Sequence, residues 1–222
     1  MDKVHIDIEI ISDVVCPWCY LGQRRLKLAL EEVKDLLSAD IAWKPYQLDP
    51  NVPPEGVDTF EYLDKRLGGR DAVKRSHDML AKLGEEVGLP FALEKATRFP
   101  NTLDAHRLIH WAGVIGAEMQ DRVARALFKA NFVDGLDVSS RAVLIQIAAD
   151  AGMDRRTIEN RLADNTDLDT VRQEIAHAQR MGVSGVPCFI FDHQYAVTGA
   201  QSVEVFVNAL RQIAEMKRTA AE

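Results

Sequence analysis

The chain reads as an α/β protein in which a β-α-β unit and a β-β-α unit are separated by a long all-helical insertion. Three features of the pattern lead there. Val4, Ile6, Ile8 and Ile10 alternate with His5, Asp7 and Glu9, the period-two signature of a strand with one buried face. From Thr59 to Met181 the apolar spacing is almost wholly helical. Strand periodicity then returns at Pro187-Cys188-Phe189-Ile190-Phe191 and Tyr195-Ala196-Val197-Thr198.

Taken in order, the β-branched run from Val4 to Ile11 is the first strand, and Gln23 to Leu37 reads as the body of a helix. Ile41 to Gln47 is the second strand, where Pro45 marks an edge or an early end because it lacks a ladder donor. A strand, a helix and a strand this close together make a β-α-β unit with parallel strands. Asp49 to Gly56 is turn-rich and serves as a linker. The spacing then predicts helices over Thr59–Leu67, Arg70–Val87, Thr102–Ile115, Glu118–Phe132, Ser139–Ala151, Arg155–Leu162 and Leu168–Met181. Asn101 or Thr102, and Ser139, are N-cap candidates, while Gly88, Gly116, Gly135, Gly152 and Gly182 fall where helices should stop. No fixed period links these helices, which argues against a solenoid. Asp192-His193-Gln194 is a hairpin-length loop, and a last helix runs from the Gly199-Ala200-Gln201-Ser202 turn to about Lys217. The expected division is 1–50 with 183–222 as one domain and 51–182 as a helical insertion.

Cys16-Pro17-Trp18-Cys19 stands where the first strand passes into the first helix. The free N–H groups and dipole of a helix N-terminus favour a thiolate at the first cysteine. Cys16 is therefore expected to lie exposed at the helix end as the attacking sulfur. Cys19, one turn inside, is placed to resolve a mixed disulfide. Pro17 suits a first helical turn, where its missing N–H is no loss. Half of a zinc site would need a second ligand pair; the one other cysteine is Cys188, and no histidine pair follows in zinc-finger spacing. Two inert, buried cysteines are the remaining reading, and the proline and tryptophan between them at such a junction speak against it. The pair reads as a redox-active dithiol rather than a metal site.

Composition sets the frame. The 222 residues are 47% hydrophobic and 27% charged, ordinary for a globular protein with a substantial core. A formal charge of −7 and the absence of a basic stripe argue against nucleic acid as a partner. No apolar run approaches the roughly 18 residues of a membrane span. Met1-Asp2-Lys3 leads into a strand interrupted by His5, Asp7 and Glu9 rather than into a signal-peptide core, so a reducing cytoplasmic location is expected. Three cysteines, a small odd number, agree with that and exclude a disulfide framework.

This arrangement resembles the thioredoxin fold, with its mixed sheet, and the insertion resembles the DsbA-like branch of it. The match is closer still to the cytosolic FrnE-like group, related to 2-hydroxychromene-2-carboxylate isomerases and kappa-class glutathione transferases. The residues that carry it are Cys16-Pro17-Trp18-Cys19-Tyr20-Leu21-Gly22, Pro100-Asn101-Thr102, Ala105-His106-Arg107-Leu108, Gly182-Val183, Gly185-Val186-Pro187 and Tyr195 through Gln201. The resemblance implies a cis Val186–Pro187 bond facing the dithiol, with the Val186 backbone free to pair with an extended substrate. It also implies a disulfide oxidoreductase acting on protein or small-molecule disulfides and thiols. No resident cofactor is implied; glutathione is a candidate co-substrate, and glutathione or thioredoxin a candidate partner to a monomer or homodimer. The related isomerases and transferases carry serine where this chain has Cys16 and use it to activate glutathione. Retention of both cysteines favours dithiol exchange over that chemistry. A glutathione-dependent isomerase or transferase is the alternative, and a peptide-binding chaperone with a secondary redox role is a third reading.

Other residues carry weaker signals. Glu9 could take the proton of Cys19, with Lys44 as its charge partner, or could be a plain salt-bridged carboxylate. Cys188 replaces the aromatic residue common in these proteins; pleat alternation turns it into the core, where it reads as filler, with a third redox sulfur near Cys16 as the alternative. His106 and His110, four apart, could share a metal but lack a third ligand in register, so a packing hydrogen bond fits His106 better. Met79, Trp111, Phe128 and Phe132 are expected in the core. Gly199-Ala200-Gln201 could hold a carboxylate at a helix N-terminus or be an ordinary turn.

Overall fold

The computed structural model describes residues 3–220. Strand β1 (Val4–Ser12) leads into helix α1 (Pro17–Glu32) and strand β2 (Leu37–Pro45). Next come β3 (Val57–Asp58), α2 (Thr59–Leu67), α3 (Arg70–Glu85), β4 (Arg98–Phe99), α4 (Leu103–Ile115) and α5 (Ala117–Lys129). Helices α6 (Arg141–Ala151), α7 (Arg155–Ala163) and α8 (Leu168–Arg180) follow, then β5 (Cys188–Phe191), β6 (Tyr195–Thr198) and α9 (Val203–Ala220). Strands β2-β1-β5-β6 lie in that order in a four-stranded mixed sheet. β1 runs parallel to β2, and β5 is antiparallel to both β1 and β6. This is the thioredoxin-like fold with helices inserted between β2 and β5. No helix among the described residues is long and apolar enough to cross a membrane.

β1 is central, and its burial follows from that. His5 and Asp7 are exposed while Ile6, Ile8 and Ile10 are buried; Ile11 and Ser12 are buried too, because both faces are covered at that end. β2 starts earlier than its own pattern suggests. Its first residues, Leu37 to Asp40, pair with Val4 to Asp7, and that pairing extends a segment with weak strand periodicity. Pro45 closes this edge strand at Ser12, as its missing donor requires.

The hairpin between β5 and β6 turns through Asp192 and His193 at φ of 48° and 56°. Two successive left-handed residues give the twist that a tight hairpin needs. On α9, Phe206, Val207, Leu210 and Ile213 are buried, and Phe206 meets Phe189 edge-on at 4.9 Å.

The inserted helices lie within a residue or two of the spacing-based bounds, except α5. Its α-helix ends at Lys129 and widens into a π-turn over Ala130–Asp134, closed by Gly135. The β3–β4 ladder was illegible because a two-residue strand has no period to read. Gly56 is required there. At φ +73°, a Cβ would also stand 2.7 Å from the Phe99 carbonyl oxygen.

Some expectations fail locally. Met79 is 47% exposed rather than core, because α3 turns that face to solvent. Ser139 is not the N-cap of α6; Ser140 holds that position, and the Ser139 hydroxyl donates instead to Asp137. At α4 the capping bond comes from Asn101, whose Oδ1 accepts the Leu103 N–H at 3.0 Å.

The insertion grips the first helix. Tyr20 stacks on Phe128 and Phe132 at 5.5 and 5.9 Å and meets Phe91 edge-on. Arg24 donates to the Val87 carbonyl at the end of α3, at 2.8 Å. These contacts fix the helix that begins at Cys16 against the helical layer.

Candidate active site

Cys16 is the N-cap of α1 and Pro17 its first helical residue. The Cys16 N–H donates to the Asp13 carbonyl at 3.0 Å, and its own carbonyl accepts from Cys19 and Tyr20 at 3.0 and 3.3 Å. This closes the strand-to-helix turn and sets the first sulfur at the positive end of the helix. The Cys16 thiol donates to the Val186 carbonyl at 3.6 Å. Residues 170 apart in sequence meet there, and the next peptide, Val186–Pro187, is cis. All three cysteines are free thiols.

Cys19 is fully buried. Burial pushes its thiol well above the usual range, and the hydrogen bond and charge of Cys16 push the same way; Asp13 and Ser12 offset this in part. Cys19 therefore holds its proton tightly, which suits a second, resolving sulfur.

Cys16 is not exposed, contrary to the expectation from its helix-end position; it is 3% accessible. The insertion folds over it, leaving a cavity of about 190 Å³ walled by Cys16, Trp18, Leu80, Phe99 and Phe132. Trp18 and Pro17 are half-buried at its rim. A larger hollow of about 670 Å³, lined by Gln47, Asn101, Arg141 and Arg172, contains neither cysteine.

The loop carrying Val186 and Pro187 is held from two sides. The Gly199 N–H donates to the Pro187 carbonyl at 2.8 Å, and Arg25 on α1 donates to the Ala200 carbonyl at 2.8 Å. Gly199-Ala200-Gln201 is thus a bracing turn. Gly22 makes the approach possible: a Cβ there would stand 3.1 Å from Pro187 Cγ and from Phe189 Cζ, and 3.4 Å from Ala200 Cα. Gly22→Ala sets two effects against each other. Helix propensity would favour alanine by about 0.8–1 kcal/mol, whereas overpacking costs about 1–3 kcal/mol. The clash is with a braced loop, so we expect a net loss of about 1 kcal/mol in urea denaturation. A variant more stable than wild type would refute the close-packing account.

Asp13 is the site residue that the sequence pattern did not single out. It is 1% exposed; its Oδ2 accepts the Leu48 N–H at 2.8 Å and its Oδ1 lies 3.3 Å from His106 Nε2. His106, 3% exposed on α4, thus serves packing beneath the dithiol turn. Its i+4 neighbour His110 faces Glu174 at 3.5 Å, so the two histidines do not converge. The signal for Asp13 exists only once α4 is brought beneath β1.

Glu9 and Lys44 do pair, at 3.6 Å, and His193 approaches Glu9 at 3.6 Å. Their place differs from a relay to Cys19. Ser12, which contacts Cys19, lies an odd number of residues from Glu9, so the pleat turns the two to opposite faces. Glu9 faces a hollow shared with Ile11 and α8. Cys188 belongs to that face as well: it pairs with Ile11 and packs with Tyr46 and Ala178, apart from the cluster that contains Cys16, Cys19 and Phe189. Burial pushes its thiol up.

A Cys-x-x-Cys pair at a helix N-terminus, opposite a cis-proline loop and beside a sheet of this order, defines a thioredoxin-fold protein. The model of the DSBA-like thioredoxin domain matches residues 7–211, and the chain belongs to that family. Among solved structures, a probable DsbA oxidoreductase from Streptomyces coelicolor is 31% identical, with a TM-score of 0.85 over 94% of this chain and 89% of that one. A 2-hydroxychromene-2-carboxylate isomerase shares the fold at 14% identity and a TM-score of 0.72, over 97% and 100% of the two chains. The cytosolic disulfide reductase DsbM from Pseudomonas aeruginosa, also solved with glutathione, shares it at 18% and 0.64, over 95% and 99%.

Proposed function

We propose that this protein is a cytoplasmic thiol–disulfide oxidoreductase working through Cys16 and Cys19. The observation that carries this reading is the pairing of a helix-end sulfur, 3.6 Å from the Val186 carbonyl, with a buried partner thiol whose proton is held tightly. The Cys16 thiolate attacks one sulfur of a substrate disulfide; that S–S bond breaks and one thiol leaves. Cys19 then gives up its proton and attacks Cys16, expelling the second thiol and leaving a Cys16–Cys19 disulfide. Two electrons pass from the protein to the substrate, and an external thiol such as glutathione or reduced thioredoxin returns them. Val186 and Pro187 receive the substrate chain beside the sulfur. Membership of the DsbA-like family supports this assignment, and the shared fold with DsbM makes glutathione a reasonable partner.

A redox titration against glutathione and thioredoxin couples tests it. The pair should titrate as one two-electron couple, changing tenfold in ratio per roughly 30 mV, with Cys188 reduced throughout. A Cys16 that remains glutathionylated, with no Cys16–Cys19 disulfide at any potential, would defeat the proposal. One observation favours a second reading. Enclosure of Cys16 beside a small apolar cavity also suits a glutathione-dependent isomerase or transferase, as does the fold shared with the isomerase.

A further inference from the structure

Resting on the oxidoreductase reading, we infer that the cavity beside Cys16 selects disulfides in which one sulfur carries a single compact, largely apolar group, about the size of one aromatic ring. Cys16 is almost inaccessible from bulk solvent, yet it forms part of the cavity wall. The atoms next to an attacked sulfur are therefore presented to that space. Much of the remaining wall is apolar, with Val15, Trp18, Leu63, Leu80, Phe99 and Phe132; among the described residues no acidic group lines it, and its basic members are His77 and Arg98.

Size narrows the occupant. A cavity of about 150 Å³ lined by leucine, isoleucine and phenylalanine side chains holds benzene, whereas drug-sized ligands take roughly 300–1,000 Å³. The 190 Å³ here matches one ring with a few further atoms; a larger thiol such as glutathione would leave most of its bulk outside it.

Two features say that the protein alone does not complete this space. The Thr59 hydroxyl, at the start of α2 in the cavity wall, is shielded from water and has no hydrogen-bond partner. Asn131, 2% exposed and also in the wall, makes one long side-chain bond among the described residues, donating to the Val14 carbonyl at 3.5 Å. It stands in the π-turn after α5, and such widened turns recur at functional sites. An occupant with one hydrogen-bonding atom would meet these groups.

Methanethiosulfonates test this cleanly, because each transfers its RS group and releases the same methanesulfinate. The Cys16 thiolate attacks the RS sulfur, the S–SO₂ bond breaks, and Cys16–S–S–R forms; in the reduced protein Cys19 then expels R–SH. Rates at Cys16 are measured by peptide mass spectrometry for the uncharged benzyl and methyl reagents, each divided by its rate with N-acetylcysteine. The benzyl reagent should gain about tenfold or more, the scale of burying one side-chain-sized apolar group. Ser76→Phe, which fills the cavity from α3, should erase most of that gain. Equal normalised rates in the wild-type protein would overturn the inference, as would a full benzyl advantage in a folded Ser76→Phe variant. Failure of the underlying reading looks different: Cys16 takes up the benzylthio group selectively but no benzyl thiol is released.

Discussion

Cys19→Ser should capture its substrate: the variant accumulates covalent adducts on Cys16, with protein thiols or glutathione, that dithiothreitol releases. The reason lies in the order of events at the two sulfurs. Cys16 stands at the helix end against the Val186 carbonyl, whereas Cys19 is fully buried and holds its proton. The first attack therefore needs Cys16 alone, and release from the mixed disulfide needs Cys19. Serine keeps the size and the buried site but cannot break a disulfide. Turnover in an insulin-reduction assay should fall by about a hundredfold or more, equivalent to about 2.7 kcal/mol in the barrier. Cys16→Ser should be equally inactive but trap nothing. A Cys19→Ser variant that traps nothing and keeps wild-type turnover of a glutathione-dependent substrate would replace this mechanism with the isomerase or transferase reading.

The largest expected effect on stability belongs to Arg107. Its side chain is 2% exposed on α4, yet all three guanidinium nitrogens are engaged. Nε donates to the Thr166 carbonyl at 2.9 Å and one terminal nitrogen to Asp104 at 2.8 Å. The other reaches the carbonyls of Arg161, Asp164 and Thr166 at 2.6–2.9 Å. These oxygens close the end of α7 and the turn into α8. The guanidinium also lies 4.9 Å from the ring centre of Trp111, whose indole N–H donates to Asp167 at 2.8 Å. Arg107→Ala would leave several carbonyls without their donor and Asp104 with only Arg141, 3.8 Å away, as its charge partner. Removing a buried, multiply hydrogen-bonded charged group costs up to about 3–5 kcal/mol, a large part of the roughly 5–15 kcal/mol that holds a domain folded. At about 2–4 °C per kcal/mol for a chain of this size, Tm should drop by roughly 6–20 °C. Arg107→Lys should recover little, since an ammonium cannot address oxygens in so many directions from a planar fork. A loss below about 1 kcal/mol in urea denaturation of Arg107→Ala would show that these bonds contribute little net stability.

The two cases differ in how visible they were beforehand. The cysteines stand out because their meaning lies in local spacing and in the change from strand to helix periodicity. Arg107 and His106 were visible as part of a familiar segment, but the oxygens that Arg107 binds lie 54 to 59 residues further along the chain. Asp13 sits inside the dithiol stretch, yet its importance comes from a histidine 93 residues away. Met79 and Ser139 were misplaced for a related reason: residue type sets a preference, and the packing of neighbouring helices decides which face turns inward.

By itself the sequence determined what is periodic or local: the strand and helix order, the glycine stops, the dithiol at a helix start and Pro187 near a strand start. Each follows from backbone sterics and side-chain alternation within a few residues. Only the tertiary structure decided which of these meet. It drew Val186 to Cys16, put Glu9 on the sheet face away from Cys19, and set Cys188 among Ile11, Tyr46 and Ala178. It also folded the insertion over Cys16, turning an expected surface thiol into one that looks into an apolar cavity. Burial depends on what other segments of the chain bring into contact, and no local pattern encodes that distance.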